Sequence, residues 1–277
     1  MNTENKNIET IQKTELEILK KCLEIITSSG LHYYMLGGTL LGAVRHNGFI
    51  PWDDDIDIGL PRHDYECFLK IAKEKLSFPY TLETYTPGSN CNQQYFAKVT
   101  DSRIQIRLLN SDYKSIVPVW VDIFPLDGVP ETPIKFWIWK NRGLVLAKLF
   151  TVSQTRFMFD RKMSIKNSKS NAELGIRIIQ KFYLDKLLNR DRLWHKLDKH
   201  LKRYEYASSS RLINFCGHWH LKEMFPKSYY GEGKCYSFED VELIGPDDYN
   251  AVLTQMYGSY MELPPEEKRQ AHDLELV

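Results

Sequence analysis

Four aspartates, Asp53, Asp54, Asp55 and Asp57, fall within five positions of the stretch GFIPWDDDIDIGL (residues 48–60). Carboxylates this close repel one another, so the chain must fold in a way that answers the repulsion. The alternation Asp55-Ile56-Asp57-Ile58 has the two-residue period of a β-strand. Asp55 and Asp57 then share one face, and the isoleucines turn to the other, toward a core. Asp53 joins the carboxylate face if the extended chain starts early, while Asp54 points the opposite way. A solvated acidic loop has no need of such alternation. Parallel carboxylates must share a proton or bind a cation, and hard oxygen donors suit Mg2+ or Mn2+. The pattern predicts a strand whose Asp53, Asp55 and Asp57 serve as metal ligands.

Two further features fit that strand. Gly37-Gly38 stands between a predicted strand, LHYYML, and a predicted helix, TLLGAVRHNG, capped by Thr39 and closed near Gly48. Glycines there let the backbone approach a ligand, and a helix N-terminus favours a phosphate. A third carboxylate is wanted from a neighbouring strand. Asp122, inside the apolar run VWVDIF, is the candidate, because a charge in such a strand is costly unless paired or metal-bound. Capping of a turn at the strand's end is the alternative role for it.

Hydrophobic spacing predicts helices over residues 8–29 and 62–76 and near 246–258, and short strands at YFAKV, RIQIRLL and VWVDIF. From 134 to 203 the pattern is helical and holds 18 Lys/Arg against 5 Asp/Glu, a balance of +13 that leaves −12 for the rest of a chain totalling +1. The expected organisation is a core over 1–133, a basic helical insertion over 134–235 whose charge suits a polyanion or a membrane surface, and a C-terminal block over 236–277. The five cysteines are scattered without a CxxC pair, as in a reducing cytoplasm. Cys216, His218, His220 and Cys235 have side chains that suit zinc, but their spacing matches no finger.

The order Gly-Gly, short helix, Asp-x-Asp, later strand Asp resembles the nucleotidyltransferase superfamily. The string GGTLLGAVRHNGFIPWDDDIDIGLPRHDYECFL closely resembles the LicD family, which includes bacterial phosphocholine transferases and the fukutin-related proteins. VDIFPLDGVP is similar to the family's second block, and the segment from Phe238 to His272 to its C-terminal block. The resemblance implies an α+β fold, a nucleotidyltransferase-type mixed sheet flanked by helices and carrying the basic helical insertion. It also implies transfer of phosphocholine, or a related substituted phosphate, from a CDP-linked donor such as CDP-choline. The acceptor would be a sugar hydroxyl of a cell-surface glycan, as in a teichoic acid or lipopolysaccharide precursor. NTP-dependent nucleotidyl transfer to a small molecule, and a non-catalytic glycan- or nucleotide-binding module, are the alternatives.

The expected roles follow. Asp53, Asp55, Asp57 and Asp122 hold the metal, with Asp55, Asp57 and Asp122 catalytic and Asp122 either a ligand or the general base. Gly37, Gly38 and Thr39 face the donor phosphates. Arg45 and His46, at the end of the short helix, either contact phosphate or complement the helix dipole. Lys98 is a further phosphate candidate or an ordinary surface lysine, and Trp52 is a packing anchor or part of a pocket wall. Tyr257, Tyr260, Pro264, Pro265, Arg269 and His272 line the donor pocket or belong to the core. Nucleic acid is excluded as a partner, since the acidic site would repel its backbone.

The segment 134–150, IKFWIWKNRGLVLAKLF, is apolar but interrupted by Lys135, Lys140, Arg142 and Lys148. It is too charged to span a membrane. It lies either in the interface of an anionic membrane, giving weak and salt-sensitive peripheral binding at the cytoplasmic face, or in the protein as a core or lid helix. Trp137 and Trp139, about 200° apart on a helix, cannot both face lipid.

Overall fold

Apolar side chains recurring every three or four residues build α1 (Thr3–Ser28), which buries Ile11, Ile18, Leu19, Cys22 and Ile26. The computed structural model describes residues 3–89, 93–109, 115–157, 171–269 and 274–277. After α1 come β1 (Tyr34–Met35), α2 (Gly37–His46), β2 (Asp57–Pro61), α3 (Arg62–Lys75), β3 (Tyr80–Glu83), β4 (Ala97–Leu108) and β5 (Ile116–Gly128). Three helices follow, α4 (Pro133–Gln154), α5 (Asn171–Lys181) and α6 (Arg190–Leu201). The chain then returns as β6 (Arg211–Ile213), β7 (Met224–Pro226), α7 (Lys227–Tyr230), the hairpin β8 (Lys234–Phe238) and β9 (Val241–Gly245), α8 (Tyr249–Tyr257) and β10 (Leu274–Leu276).

The sheet is mixed and runs β1-β2-β5-β4-β10, with β3 also on β4 and with β6 and β7 continuing from the far end of β5. Among the described residues only β2 and β5 pair in parallel, and that pairing sets Asp57 opposite Asp122. α1 and α3 pack together against the sheet. This is the α+β architecture expected, a mixed sheet flanked by helices.

Several boundaries differ from the spacing-based expectation. α2 starts at Gly37, two residues before Thr39, and ends at His46, capped by Asn47 in the left-handed conformation at φ 56°. Thr39 does not cap the helix. Its hydroxyl accepts the Asp57 N–H at 2.8 Å and so ties α2 to β2. The segments YFAKV and RIQIRLL form one strand, β4, with an irregular register between Asp101 and Gln105. The short bulge reads as a break in the sequence because it interrupts the two-residue period.

One buried ion pair joins three layers. The Arg62 guanidinium, at the start of α3, forks onto Asp127 near the end of β5, with Nε–Oδ1 and Nη2–Oδ2 both 2.7 Å. Asp127 is fully buried, and Arg62 also reaches Glu66 at 3.5 Å and Asp198 of α6 at 3.9 Å. α4 and α6 are locked by a reciprocal pair. The Trp139 indole N–H donates to the His200 carbonyl at 3.3 Å, and the His200 ring reaches the Trp139 carbonyl at 2.9 Å.

Between β6 and β7, Glu223 is buried among the Asn214 amide at 2.8 Å and the Trp219 N–H at 2.9 Å. Burial pushes its carboxyl up to about 7, against the lowering effect of those two hydrogen bonds.

Asp127→Ala leaves the Arg62 charge buried without its partner and should cost about 3–5 kcal/mol. The loss should appear as a lower urea midpoint with an unchanged slope. Arg62→Met combined with Asp127→Leu should recover most of it, because the desolvation penalty goes with both charges. For Glu223 the folded pKa lies above the unfolded one. Its contribution is therefore fully present while the group is protonated and is lost as pH rises from 4.5 to about 7. Between about pH 5 and about pH 8 the wild type should lose about 2–3 kcal/mol more stability than Glu223→Gln. Urea titrations of both proteins at the two pH values measure this, and parallel profiles would contradict it.

Candidate active site

The site is built where β1 turns into α2. Gly37 has φ +47°, a left-handed backbone that costs a glycine little. A Cβ on Gly38 would stand 2.6 Å from Asp53 Oδ2 and 3.8 Å from Asp55 Oδ1. A Cβ on Gly37 would stand 3.4 Å from Asp57 Oδ2 and 3.7 Å from the Tyr257 hydroxyl. The glycine pair therefore lets three carboxylates and a phenol close over the first turn of α2, where the N–H groups and the helix dipole present partial positive charge. Burial alternates as the sequence pattern requires: Asp54 and Ile56 are buried, whereas Asp53, Asp55 and Asp57 are half-buried. Regular strand pairing begins only at Asp57, so Asp53 and Asp55 stand on the extended lead-in.

Across the sheet three side chains stand in register. Asp57 on β2 pairs with Asp122 on β5, and Asp122 pairs with Lys98 on β4. Lys98 Nζ lies 3.2 Å from Asp122 Oδ1 and 3.7 Å from the centre of the Trp120 ring. Burial, with Asp55 and Asp122 facing it, holds the Asp57 carboxyl well above its ordinary value. A cation at this point would relieve that cost. Among the described residues no three His, Cys, Asp or Glu side chains are set to coordinate one ion as they stand. What fits a divalent cation is the chemistry of the donors, hard carboxylate oxygens crowded until one of them resists ionisation.

The remaining candidates form a shelf beside the carboxylates. Arg45 donates from Nη1 to the Tyr260 carbonyl at 2.8 Å and from Nε to His46 Nε2 at 2.9 Å. Burial and the adjacent Arg45 lower the His46 pKa, consistent with that nitrogen accepting. His46 meets the edge of Trp52, and the Arg269 guanidinium lies over the same indole at 5.4 Å. Arg269 is held in turn by the Pro264 carbonyl at 2.8 Å. Trp52 thus joins the shelf rather than serving only as an anchor in the core. Burial and the nearby Asp57 raise the Tyr257 hydroxyl pKa. His272 lies outside the described residues. His220 Nδ1 is 2.9 Å from the Phe215 carbonyl, Cys216 is buried and Cys235 is exposed.

Spacing missed two contributors on α1. Gln12 donates to the Asp53 carbonyl at 2.8 Å and fixes the acidic segment from behind. Glu15, one turn on, is buried, and no hydrogen-bond partner reaches its Oε2. Burial, with Asp55, Asp54 and Asp53 around it, raises its pKa well above the ordinary value. A signal existed: Glu15 interrupts the apolar stripe of Ile11, Ile18 and Cys22. Glu223 was also missed, because it approaches Asp57 from a hairpin remote in sequence.

Comparison with known proteins agrees with this geometry. Residues 30–164 match the family model described as LicD/FKTN/FKRP, nucleotidyltransferase domain. The lipopolysaccharide cholinephosphotransferase LicD of Haemophilus influenzae is 32% identical over 256 residues, covering 88% of each chain. An uncharacterised protein of Rickettsia typhi is 39% identical over 118 residues, 43% of this chain and 36% of its own. The human ribitol 5-phosphate transferase FKRP is 40% identical over 48 residues, 17% of this chain and 10% of its own. The glycine pair, the aspartate strand and the paired Asp122 all lie within the matched segment, and the chain belongs to the LicD family, as an enzyme of the phosphotransferase type.

Proposed function

We propose that the protein transfers phosphocholine, or a related substituted phosphate, from a CDP-linked donor to a sugar hydroxyl of a cell-surface glycan precursor. The observation that carries the reading is the row Asp57, Asp122, Lys98 in register across three strands, with Asp57 set against the glycine turn. Relatives that are by name a lipopolysaccharide cholinephosphotransferase and a ribitol 5-phosphate transferase support the transferred group and a glycan acceptor. Teichoic acid and lipopolysaccharide precursors are the acceptor classes of choice. The placement in the cytoplasm rests on the scattered cysteines.

The chain's residues divide the work. The N–H groups of the first turn of α2 receive the donor phosphate, with Gly37 and Gly38 permitting close approach. Lys98, held at Asp122, would supply positive charge to the phosphate. Asp53, Asp55, Asp57 and Asp122 would hold Mg2+ or Mn2+, which when bound neutralises the diphosphate and stabilises the leaving nucleotide. Asp122 would serve either as a ligand or as the general base that takes the proton of an acceptor hydroxyl. Arg45, His46, Trp52, Tyr257 and Arg269 form one wall of the donor pocket, with His272 assigned to it as well. Residues 1–133 and 236–277 supply the groups named here, and 134–235 faces the acceptor or the membrane.

Asp55→Asn and Asp57→Asn should each reduce transfer by at least ~100-fold while leaving the fold intact. Turnover near normal in either variant, with a wild-type circular dichroism spectrum, would remove the carboxylates from the mechanism. A panel of CDP-linked alcohols with Mg2+ and an acceptor extract tests the donor, and CMP release is the expected signal. Pyrophosphate release from ATP or another NTP would instead establish nucleotidyl transfer.

A further inference from the structure

α4 is apolar on both sides, and only one side is covered by the protein. Trp139, Gly143, Leu146, Ala147 and Phe150 are buried toward α6 and Phe215. Directly opposite, Ile134 is 76%, Trp137 63%, Ile138 54% and Val145 57% exposed. At about 100° per residue, Ile134, Val145 and Ile138 fall within about 40° of arc, with Trp137 about 60° to one side. The two tryptophans that cannot face the same way do not: Trp139 is only 2% exposed. On the same wheel Lys135 and Arg142 flank the stripe on one edge, and Lys148 falls between Trp137 and Ile134. All three are exposed. Residues 132–159 contain no acidic side chain. Phe182 and Leu187, 66% and 81% exposed, stand at the end of α5 and on the turn packed against α4.

We infer that this outward face of α4 docks on the surface of an anionic membrane. Four large apolar side chains in one stripe are more than scattered surface hydrophobics require. Lysine and arginine stems can lie along such a stripe and carry their charges out to lipid headgroups. A second copy of the chain is disfavoured as the occupant, since a two-fold contact would set the same basic rim against itself. Crossing the bilayer is excluded by the buried half of the helix, and no described helix is long and apolar enough to span. From Asp122 to Gly128, β5 runs about 20 Å before the chain turns into α4. A docking face separated from the carboxylates by that strand suits an acceptor glycan that rises from a lipid carrier. The docking itself follows from the surface and stands apart from the identity of the donor.

Vesicle sedimentation of the full chain, without donor or acceptor, tests it. Binding is expected to vesicles of phosphatidylglycerol mixed with phosphatidylcholine at low ionic strength. It should be lost at high salt and absent with phosphatidylcholine alone. Replacing Lys135, Arg142 and Lys148 together by Gln should weaken it at least ~10-fold, and Trp137→Ser with Ile138→Ser should weaken it comparably. These variants change outward positions, and an unchanged urea midpoint verifies folding. No binding at low salt, or binding indifferent to salt and to both sets of replacements, would overturn the inference. So would a dimer in analytical ultracentrifugation that Trp137→Ser with Ile138→Ser dissociates, which would make a second copy the occupant. A failed CMP-release assay with intact vesicle binding would count against the proposed reaction and leave the docking in place.

Discussion

The parallel pairing of β2 with β5 is the constraint on which the site depends, because it holds Asp57 beside Asp122 whatever the carboxylates' repulsion. The backbone supplies the restraint. Asp57 N–H is held by Thr39, the Asp57 carbonyl accepts from Leu36, and Asp122 N–H donates to the Ile56 carbonyl. Gln12 adds a tie to the Asp53 carbonyl from α1. With the main chain so fastened, the side chains cannot relax by moving apart, and burial together with the facing Asp55 and Asp122 leaves an Asp57 carboxyl that resists ionisation. A group of charges kept under strain by a rigid frame is the arrangement expected where a cation and a phosphate are to be received.

The molecule contains a second kind of buried charge, treated in the opposite way. Arg62 and Asp127 meet in a two-bond fork and satisfy one another inside the junction of α3, β5 and α6. Such a pair contributes little net stability over apolar residues, but losing either partner leaves a buried charge uncompensated. The two acidic regions lie on the same strand, five residues apart, at Asp122 and Asp127. Asp127 sits where α3, β5 and α6 meet, and Asp122 sits beside Asp57 in the carboxylate group. Their different roles come from their neighbours. Asp127 has an arginine that reaches it fully. Asp122 has one lysine, shared with an aromatic ring and set among further carboxylates.

The insertion extends the same theme to the outer surface. Its helices pack inward through Trp139, His200 and Phe215. The opposite face of α4 keeps side chains that water does not favour, rimmed by cations. Sequence reading left open whether 134–150 was a core helix or an interfacial one. One face of the helix is core and the other is exposed and apolar, and that is why its apolar pattern has no clear period.

Much of the candidate site was legible beforehand because it is written in local patterns. The period of two around Asp53, Asp55 and Asp57, the glycine pair, and a lone Asp122 in an apolar strand are all signals within a few residues. The LicD-like string covered the same ground. Glu15, Glu223 and the contact of Lys98 with Asp122 were not legible. Each depends on which element lies beside which, and the partners are separated by tens to more than a hundred residues of chain. The hairpin β8–β9 and the irregular β4 were hidden for a related reason: short or bulged strands lose the period that reveals them. The sequence by itself determined which residues face together along each element, since that follows from backbone geometry. Only the tertiary structure decided which faces meet, because strand order, parallel pairing and the return of the chain after α6 are set by packing of the whole core.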